Sequence, residues 1–151
     1  MYDVILVTSK NQMACGPTCL KMLLSYYGHD VPLDELISEC GLTVAGCKAT
    51  DIKRVGDAHG LDITFWRMDA KDVFTMDRPA IIHWGENHFV VFCGMDENGE
   101  PVINNPSRGH FSLPRADFED KFSKVVLCHG TPDDVIPEDY WGENSISPEY
   151  T

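Results

Sequence analysis

Apolar residues recur at intervals of three and four near the start of the chain, which is the spacing of a helix with one buried face. The residues that carry this spacing are Leu20, Leu23, Leu24 and Tyr27. Pro17 suits the first turn of such a helix, and Gly28 suits the left-handed stop after it. The pattern therefore predicts a buried helix of about three turns that begins near Gly16.

Two shorter helices are predicted next. Pro32 precedes Asp34 and Glu35, so one helix would carry acids in its first turn, where the helix dipole favours them. Thr50 can cap the other helix, which would end at Gly60. Its apolar face would be formed by Ile52, Val55 and Ala58. The first part of the chain is thus predicted to be helical.

From residue 61 the pattern changes to short runs rich in Val, Ile, Phe and Trp, which is the composition of strands. These runs cover residues 61–68, 80–84, 89–95, 101–104 and 124–128. Asn98-Gly99 between two of the runs predicts a tight hairpin turn, and Phe118 lies in a brief predicted helix. Helices followed by antiparallel strands indicate an α+β domain in which an N-terminal helical half packs against a C-terminal sheet.

Composition and charge narrow the range of functions. With 151 residues and 43% apolar residues, the chain can bury one core. The net charge is −12, and half of this excess comes from acids in residues 130–151, where there is no Lys or Arg. We therefore predict one domain over 1–129 and an acidic tail over 130–151 that is flexible or a linker. The domain has no basic stripe, so nucleic acid is not an expected partner.

The sequence also predicts a location and a redox state. No apolar run reaches the roughly 20 residues that span a bilayer, and the first residues lack the basic stretch of a signal peptide. We therefore expect a cytoplasmic protein without direct membrane insertion, in which the cysteines are free thiols. Zinc is the competing interpretation, but Cys15/Cys19 and Cys40/Cys47 lack the Cys-x2-Cys spacing of structural zinc sites. Neither a metal nor a cofactor is expected.

Cys15 is the thiol placed for chemistry, because it lies at the mouth of the first predicted helix. Unsatisfied N–H groups and the positive end of the helix dipole would stabilise its thiolate and lower its pKa. Gly16 would let a substrate backbone approach closely. Cys19 lies one turn further on among apolar residues and is interpreted as a core thiol.

A thiolate nucleophile needs a base and a group that orients the base. His88 opens a predicted strand directly after a turn, at the rim of the sheet. The hairpin would return the next strand to His88, with Asn104-Asn105-Pro106 at its end. An Asn there could accept the imidazole N–H bond, and Asn104 would point to the opposite face. His83 is interpreted as packing beneath the cleft.

Three segments resemble the bacteriocin-processing, double-glycine-leader peptidases. These are papain-like domains found at the N-terminus of peptide-exporting ABC transporters and also as free-standing proteases. Residues 12–22, QMACGPTCLKM, resemble the nucleophile helix of that family. Residues 79–84 and 88–91 resemble its base segment, and VINNP at 102–106 falls where its Asp-Pro motif is expected. The likeness runs in order from about Gln12 to Leu127.

The resemblance implies a papain-like cysteine peptidase that cuts after a Gly-Gly or similar small pair at the end of a leader peptide. It implies Cys15 as nucleophile, His88 as general base and acid, and Asn105 as the orienting group. The oxyanion would be held by the Cys15 N–H and a Gln side chain, for which Gln12 is the candidate. Either Gln12 or Asn11 reaches the oxyanion, or this second donor is missing and turnover is slow. The family usually has Asp in place of Asn105, and its Gln lies six residues before the nucleophile, where this chain has Ser9.

The expected partners are a peptide substrate with a small-residue cleavage site and, as in that family, a peptide-exporting ABC transporter. Such a transporter would hold the protein at the inner face of the membrane. Two other functions stay open. A degenerate relative would bind a leader without cutting it, and a papain-like acyl transferase would pass the acyl group to an amine.

Overall fold

The computed structural model describes residues 1–42, 46–133 and 140–141. After a 3-10 turn at Gln12–Ala14, the helices are α1 (Cys15–Tyr26), α2 (Leu33–Cys40), α3 (Ala49–Ala58), α4 (Ala70–Phe74) and α5 (Arg115–Lys121). The strands are β1 (Ile63–Arg67), β2 (Ala80–Trp84), β3 (His88–Met95), β4 (Pro101–Asn105), β5 (Gly109–Ser112), β6 (Phe122–His129) and β7 (Tyr140–Trp141). Among the helices of these ranges, none has the length and apolar character needed to cross a membrane.

Within the described residues, the strands form one antiparallel sheet in the order β5-β4-β3-β2-β6-β1-β7. β2 and β3 form one hairpin, and β3 and β4 form the next. Because β3 and β4 are antiparallel, the start of β3 and the end of β4 lie at the same end of the sheet. This end of the sheet carries the residues of the candidate site.

Both faces of the sheet are covered. Along β3, Phe89 and Val91 join the core beneath α1, whereas Val90 and Phe92 join the core on the other face, which includes α4 and α5. A strand that is buried on both faces needs apolar side chains at successive positions, which explains the unbroken apolar run in β3. The predicted packing of a helical half on an antiparallel sheet is confirmed, since α1, α2 and α3 cover the first face.

The predicted elements are present, with differences at their ends. Thr50 does not cap α3, because this helix begins at Ala49 and the Lys48 N–H donates to the Asp51 carboxylate at 3.3 Å. The sequence does not predict α4, β5 or β7. β7 lies within the acidic tail and pairs with β1, where the ring of Tyr140 packs 5.0 Å from that of Trp66.

Hydrogen bonds hold the N-terminal segment against the end of the sheet that carries the candidate site. Asn104 is fully buried, and its Nδ2 donates to the Val4 carbonyl at 3.2 Å while its Oδ1 lies 2.6 Å from Nδ1 of His110. Further along, the Ser9 N–H donates to the Pro106 carbonyl at 2.9 Å. These bonds fix the path of the chain that leads into the 3-10 turn and α1.

Candidate active site

Cys15 is the first residue of α1, and only 6% of its surface is exposed. The turn around it is held by Thr18, whose buried hydroxyl donates to the Ala14 carbonyl at 2.7 Å. α1 packs on β3, and the backbone N–H of Phe89 lowers the pKa of the Cys15 thiol. Phe89 directly follows His88, the first residue of β3, so the thiol lies near the start of this strand.

The position of Cys15 at a helix mouth predicts a lowered pKa, and this prediction is wrong. Burial raises the pKa of the thiol, because a thiolate is poorly solvated in the interior. The N–H groups of Phe89, Gly16 and Cys15 itself lower the pKa, but they do not offset burial. Cys15 therefore holds its proton more tightly than an ordinary thiol, and its chemistry depends on a neighbouring base.

Gly16 has a role in packing, while the approach of a substrate backbone to it stays a prediction. A Cβ atom at this position would lie 3.1 Å from Cδ1 of Ile52 and 3.2 Å from Cβ of Cys47. Ile52 belongs to α3, and Cys47 lies shortly before that helix. The absence of a side chain at Gly16 therefore lets α1 pack closely against α3.

The turn between β2 and β3 sets the position of His88. Gly85 and Asn87 in this turn have φ values of 57° and 55°, a left-handed conformation that Gly and Asn tolerate better than other residues. Trp84 pairs with His88 across the turn. His88 is half-buried at the rim of the sheet, whereas His83 is 7% exposed and packs in the interior as predicted.

The hairpin of β3 and β4 brings Asn105 to His88. Nε2 of His88 lies 3.0 Å from Oδ1 of Asn105. Asn105 is the last residue of β4 and is 3% exposed. Asn104 points the other way and bonds the N-terminal segment. The strand alternation therefore places the amide of Asn105, and not that of Asn104, against the imidazole.

Ser107, which the sequence analysis missed, holds the same amide oxygen. Its backbone N–H donates to Asn105 Oδ1 at 3.0 Å, and its hydroxyl donates to this atom at 2.9 Å. Residues 105–108 form a turn in which the Arg108 N–H donates to the Asn105 carbonyl at 3.1 Å. Pro106 suits the second position of such a turn. The run Asn-Pro-Ser could have indicated the contact, because Asn side chains commonly bond the N–H two residues further on.

One open cleft of about 580 Å³ is lined by three of the four predicted site residues, and the buried Cys15 is not among its lining residues. Its walls include Gln12, Trp84, His88, Asn105, Ser107 and Phe111. Gln12 is exposed and lies in the 3-10 turn immediately before α1, and this turn is capped by Asn11, whose Oδ1 accepts the Met13 N–H at 3.0 Å. The structure thus brings Gln12, His88 and Asn105 to one cleft, next to the start of α1.

Other thiols lie in the core, and a group of acids surrounds one histidine. Burial raises the pKa of Cys93 to about 12 and that of Cys128 to about 11, as expected for core thiols. In the described part of the chain, Glu35, Glu39 and His59 place metal-ligand atoms within 4.8 Å of one another. Within this cluster, Nε2 of His59 lies 2.8 Å from a carboxylate oxygen of Glu39, within hydrogen-bond distance.

Comparison with known proteins assigns the chain to a family. Residues 3–133, which make up most of the chain, match the family described as the Peptidase C39 family. The chain belongs to the Peptidase C39 family. Membership confirms the resemblance found in the three sequence motifs and the predicted class of enzyme, a cysteine peptidase.

The curated relatives of this C39 chain are much longer proteins. The lacticin-481/lactococcin-DR transport/processing ATP-binding protein of Lactococcus lactis subsp. lactis is 28% identical over 127 residues, which cover 81% of this chain and 18% of that protein. The colicin V secretion/processing ATP-binding protein of Escherichia coli is 26% identical over 113 residues, which cover 75% and 16%. The C39 chain therefore spans less than a fifth of the length of these relatives.

Solved structures confirm the predicted papain-like α+β fold. A double glycine motif protease from an AMS/PCAT transporter, in complex with the leader peptide, superposes with a TM-score of 0.79 and 29% identity. The match covers 83% of this C39 chain and 90% of that chain. The peptidase domain of Streptococcus ComA superposes with a TM-score of 0.73 at 20% identity, over 81% and 94% of the two chains.

Proposed function

We propose that this C39 chain is an endopeptidase that cuts a leader peptide after a Gly-Gly or similar small pair. The observation that carries the proposal is the 3.0 Å contact between His88 Nε2 and Asn105 Oδ1. His88 directly precedes Phe89, whose backbone N–H lowers the pKa of the Cys15 thiol. A thiol, a base and a group that orients the base are the parts needed for acyl transfer through a thioester.

The reaction begins with proton transfer from Cys15. Because Asn105 Oδ1 accepts the bond from Nε2 of His88, the neutral imidazole keeps its proton on Nε2, and Nδ1 is the base. Nδ1 takes the thiol proton, and the sulfur attacks the scissile carbonyl carbon. The imidazolium then protonates the leaving amine as the C–N bond breaks, which leaves a thioester. Water, deprotonated by His88, hydrolyses the thioester and restores the thiol.

The oxyanion that forms at each addition step needs hydrogen-bond donors. The Cys15 N–H lies in the first turn of α1, where N–H groups have no partner within the helix. The side-chain amide of Gln12 lines the cleft that His88 and Asn105 also line, and it is the second donor. The positive end of the α1 dipole adds to this stabilisation.

The substrate and partner are inferred from similar proteins. A leader peptide is bound to the double glycine motif protease, and the curated relatives are transport/processing ATP-binding proteins. These findings support a leader-bearing peptide as substrate and a peptide-exporting ABC transporter as partner. The domain over 1–129 then works in the cytoplasm, at the inner face of the membrane through that transporter, with 130–151 as a linker.

Incubation with a peptide that joins a leader ending in Gly-Gly to a short cargo tests the proposal. We expect mass spectrometry to show one cut, directly after the second glycine. A peptide with both glycines replaced by leucine is the matched control and should stay intact. Cuts at unrelated bonds would contradict the proposed specificity. A product carrying an added amine, in place of a free acid, would indicate an acyl transferase.

Gln12→Ala is expected to lower kcat about 100-fold with little change in KM, because the amide would bond the oxyanion only in the transition state. Initial rates over a range of peptide concentrations separate the two parameters. Lys10→Ala, a change at an exposed residue of the same segment, is the control and should leave kcat unchanged. A rise in KM at constant kcat would instead make Gln12 a substrate-binding residue.

A further inference from the structure

The orientation of the Asn105 amide can be read from a backbone donor. The Ser107 N–H lies 3.0 Å from the Asn105 side chain. A backbone N–H can only donate, so the atom that faces it is the amide oxygen and not the amide nitrogen. The Ser107 hydroxyl lies 2.9 Å from the same oxygen and donates to it as well. A rotated amide would direct its own N–H groups at the Ser107 N–H.

This orientation decides which nitrogen of His88 carries the proton. The oxygen held by Ser107 also lies 3.0 Å from Nε2 of His88. Since the oxygen only accepts, Nε2 must donate, and Nδ1 is left as the base. With the amide rotated by half a turn, Nε2 would have to accept and the proton would sit on Nδ1. An imidazole in that tautomer cannot take the Cys15 proton.

A carboxylate would not create this requirement, because its two oxygens are equivalent acceptors. An amide has one acceptor end and one donor end, so the chain needs a feature that selects between them. Asn105 is 3% exposed, which leaves little room for water to make that selection. Ser107 contributes two donors to one oxygen, and both favour the orientation that suits catalysis.

We propose that Ser107 is a positioning residue that locks the Asn105 amide and thereby fixes His88 as the Nε2-protonated tautomer. The proposal rests on the proposed function for its kinetic test only. The orientation of the Asn105 amide and the tautomer of His88 are properties of the free enzyme, before any substrate binds. A carboxylate at this position would orient His88 without help. With Asn105 in its place, the bonds from Ser107 are needed to hold the amide in the orientation that orients His88.

The kinetic test compares Ser107→Ala in two backgrounds, the natural chain and Asn105→Asp. In the natural chain we expect kcat for the Gly-Gly peptide to fall about fivefold to tenfold, since one of the two donors is lost and the backbone N–H remains. With Asp at position 105 we expect a loss of less than about twofold. Ser112→Ala, which removes an exposed hydroxyl on β5, is the control and should change kcat in neither background. Equal losses in both backgrounds would show a merely structural role and overturn the proposal, as would no loss in either.

The second test needs no turnover. ¹⁵N NMR of the imidazole nitrogens, with His88 assigned by its absence in His88→Ala, reports the tautomer directly. We expect the Nε2-protonated form in the natural chain and a mixture of tautomers in Ser107→Ala. An unchanged tautomer in Ser107→Ala would overturn the proposal. If the natural chain fails to cut the peptide but shows the expected tautomer shift, the positioning role stands and the proposed substrate is wrong.

Discussion

Cys15→Ala is expected to abolish cleavage of the Gly-Gly peptide, with a fall in rate of at least about 10⁴-fold. Without the sulfur no thioester can form, so neither the base nor the oxyanion donors have a covalent step to assist. The change removes one atom from a side chain in the core beneath α1, so the fold should persist. Peptide binding, measured by fluorescence anisotropy, should be retained, which separates a lost reaction from a lost substrate.

Cys40→Ala is the matched control for this prediction. Cys40 lies on α2 and is 1% exposed, and the hydrogen bond from Cys47 lowers the pKa of its thiol. The pKa of Cys40 is thus shifted in the opposite direction to that of Cys15, which burial raises. We expect Cys40→Ala to cleave at the natural rate. Full activity of Cys15→Ala, or loss of activity in Cys40→Ala alone, would show that the nucleophile is assigned to the wrong thiol.

Features that depend on local pattern could be predicted from the sequence. The apolar spacing of α1 and the unbroken apolar run of β3 each define an element without reference to the rest of the fold. The meeting of His88 and Asn105 could also be predicted, because a hairpin sets its register through its turn. The short helix α4 could not, since five residues show too little periodicity.

Properties that depend on tertiary surroundings could not be predicted in the same way. The position of Cys15 at the start of a helix correctly predicts that nearby N–H groups lower the pKa of its thiol. The larger effect, burial, raises this pKa and arises only because α1 packs on β3. The close packing of Gly16 against Cys47 and Ile52 likewise arises only in the folded chain. The run Asn105-Pro106-Ser107 indicates the bond from the Ser107 N–H, but the bond from the Ser107 hydroxyl joins two side chains and has no such local signal.

His88→Ala is expected to lower the rate of Cys15 alkylation by iodoacetamide at pH 6 about 100-fold or more. The raised pKa of Cys15 means that the isolated thiol is almost wholly protonated at this pH, and only the thiolate reacts. In the natural chain His88 accepts the proton, so reactive sulfur is available. In His88→Ala the rate should rise about tenfold per pH unit and should not level off until the pH exceeds the ordinary cysteine pKa of about 8.5.

Peptide mapping by mass spectrometry measures this rate at each cysteine separately, which is needed because the pKa of Cys40 is lowered. His29→Ala, a change in the loop after α1, is the control and should react at Cys15 as the natural chain does. If Cys15 in His88→Ala reacts at the natural rate at pH 6, the N–H groups of Phe89 and α1 alone must sustain the thiolate. Burial would then not govern this thiol, and His88 would act later, as the acid that protonates the leaving amine.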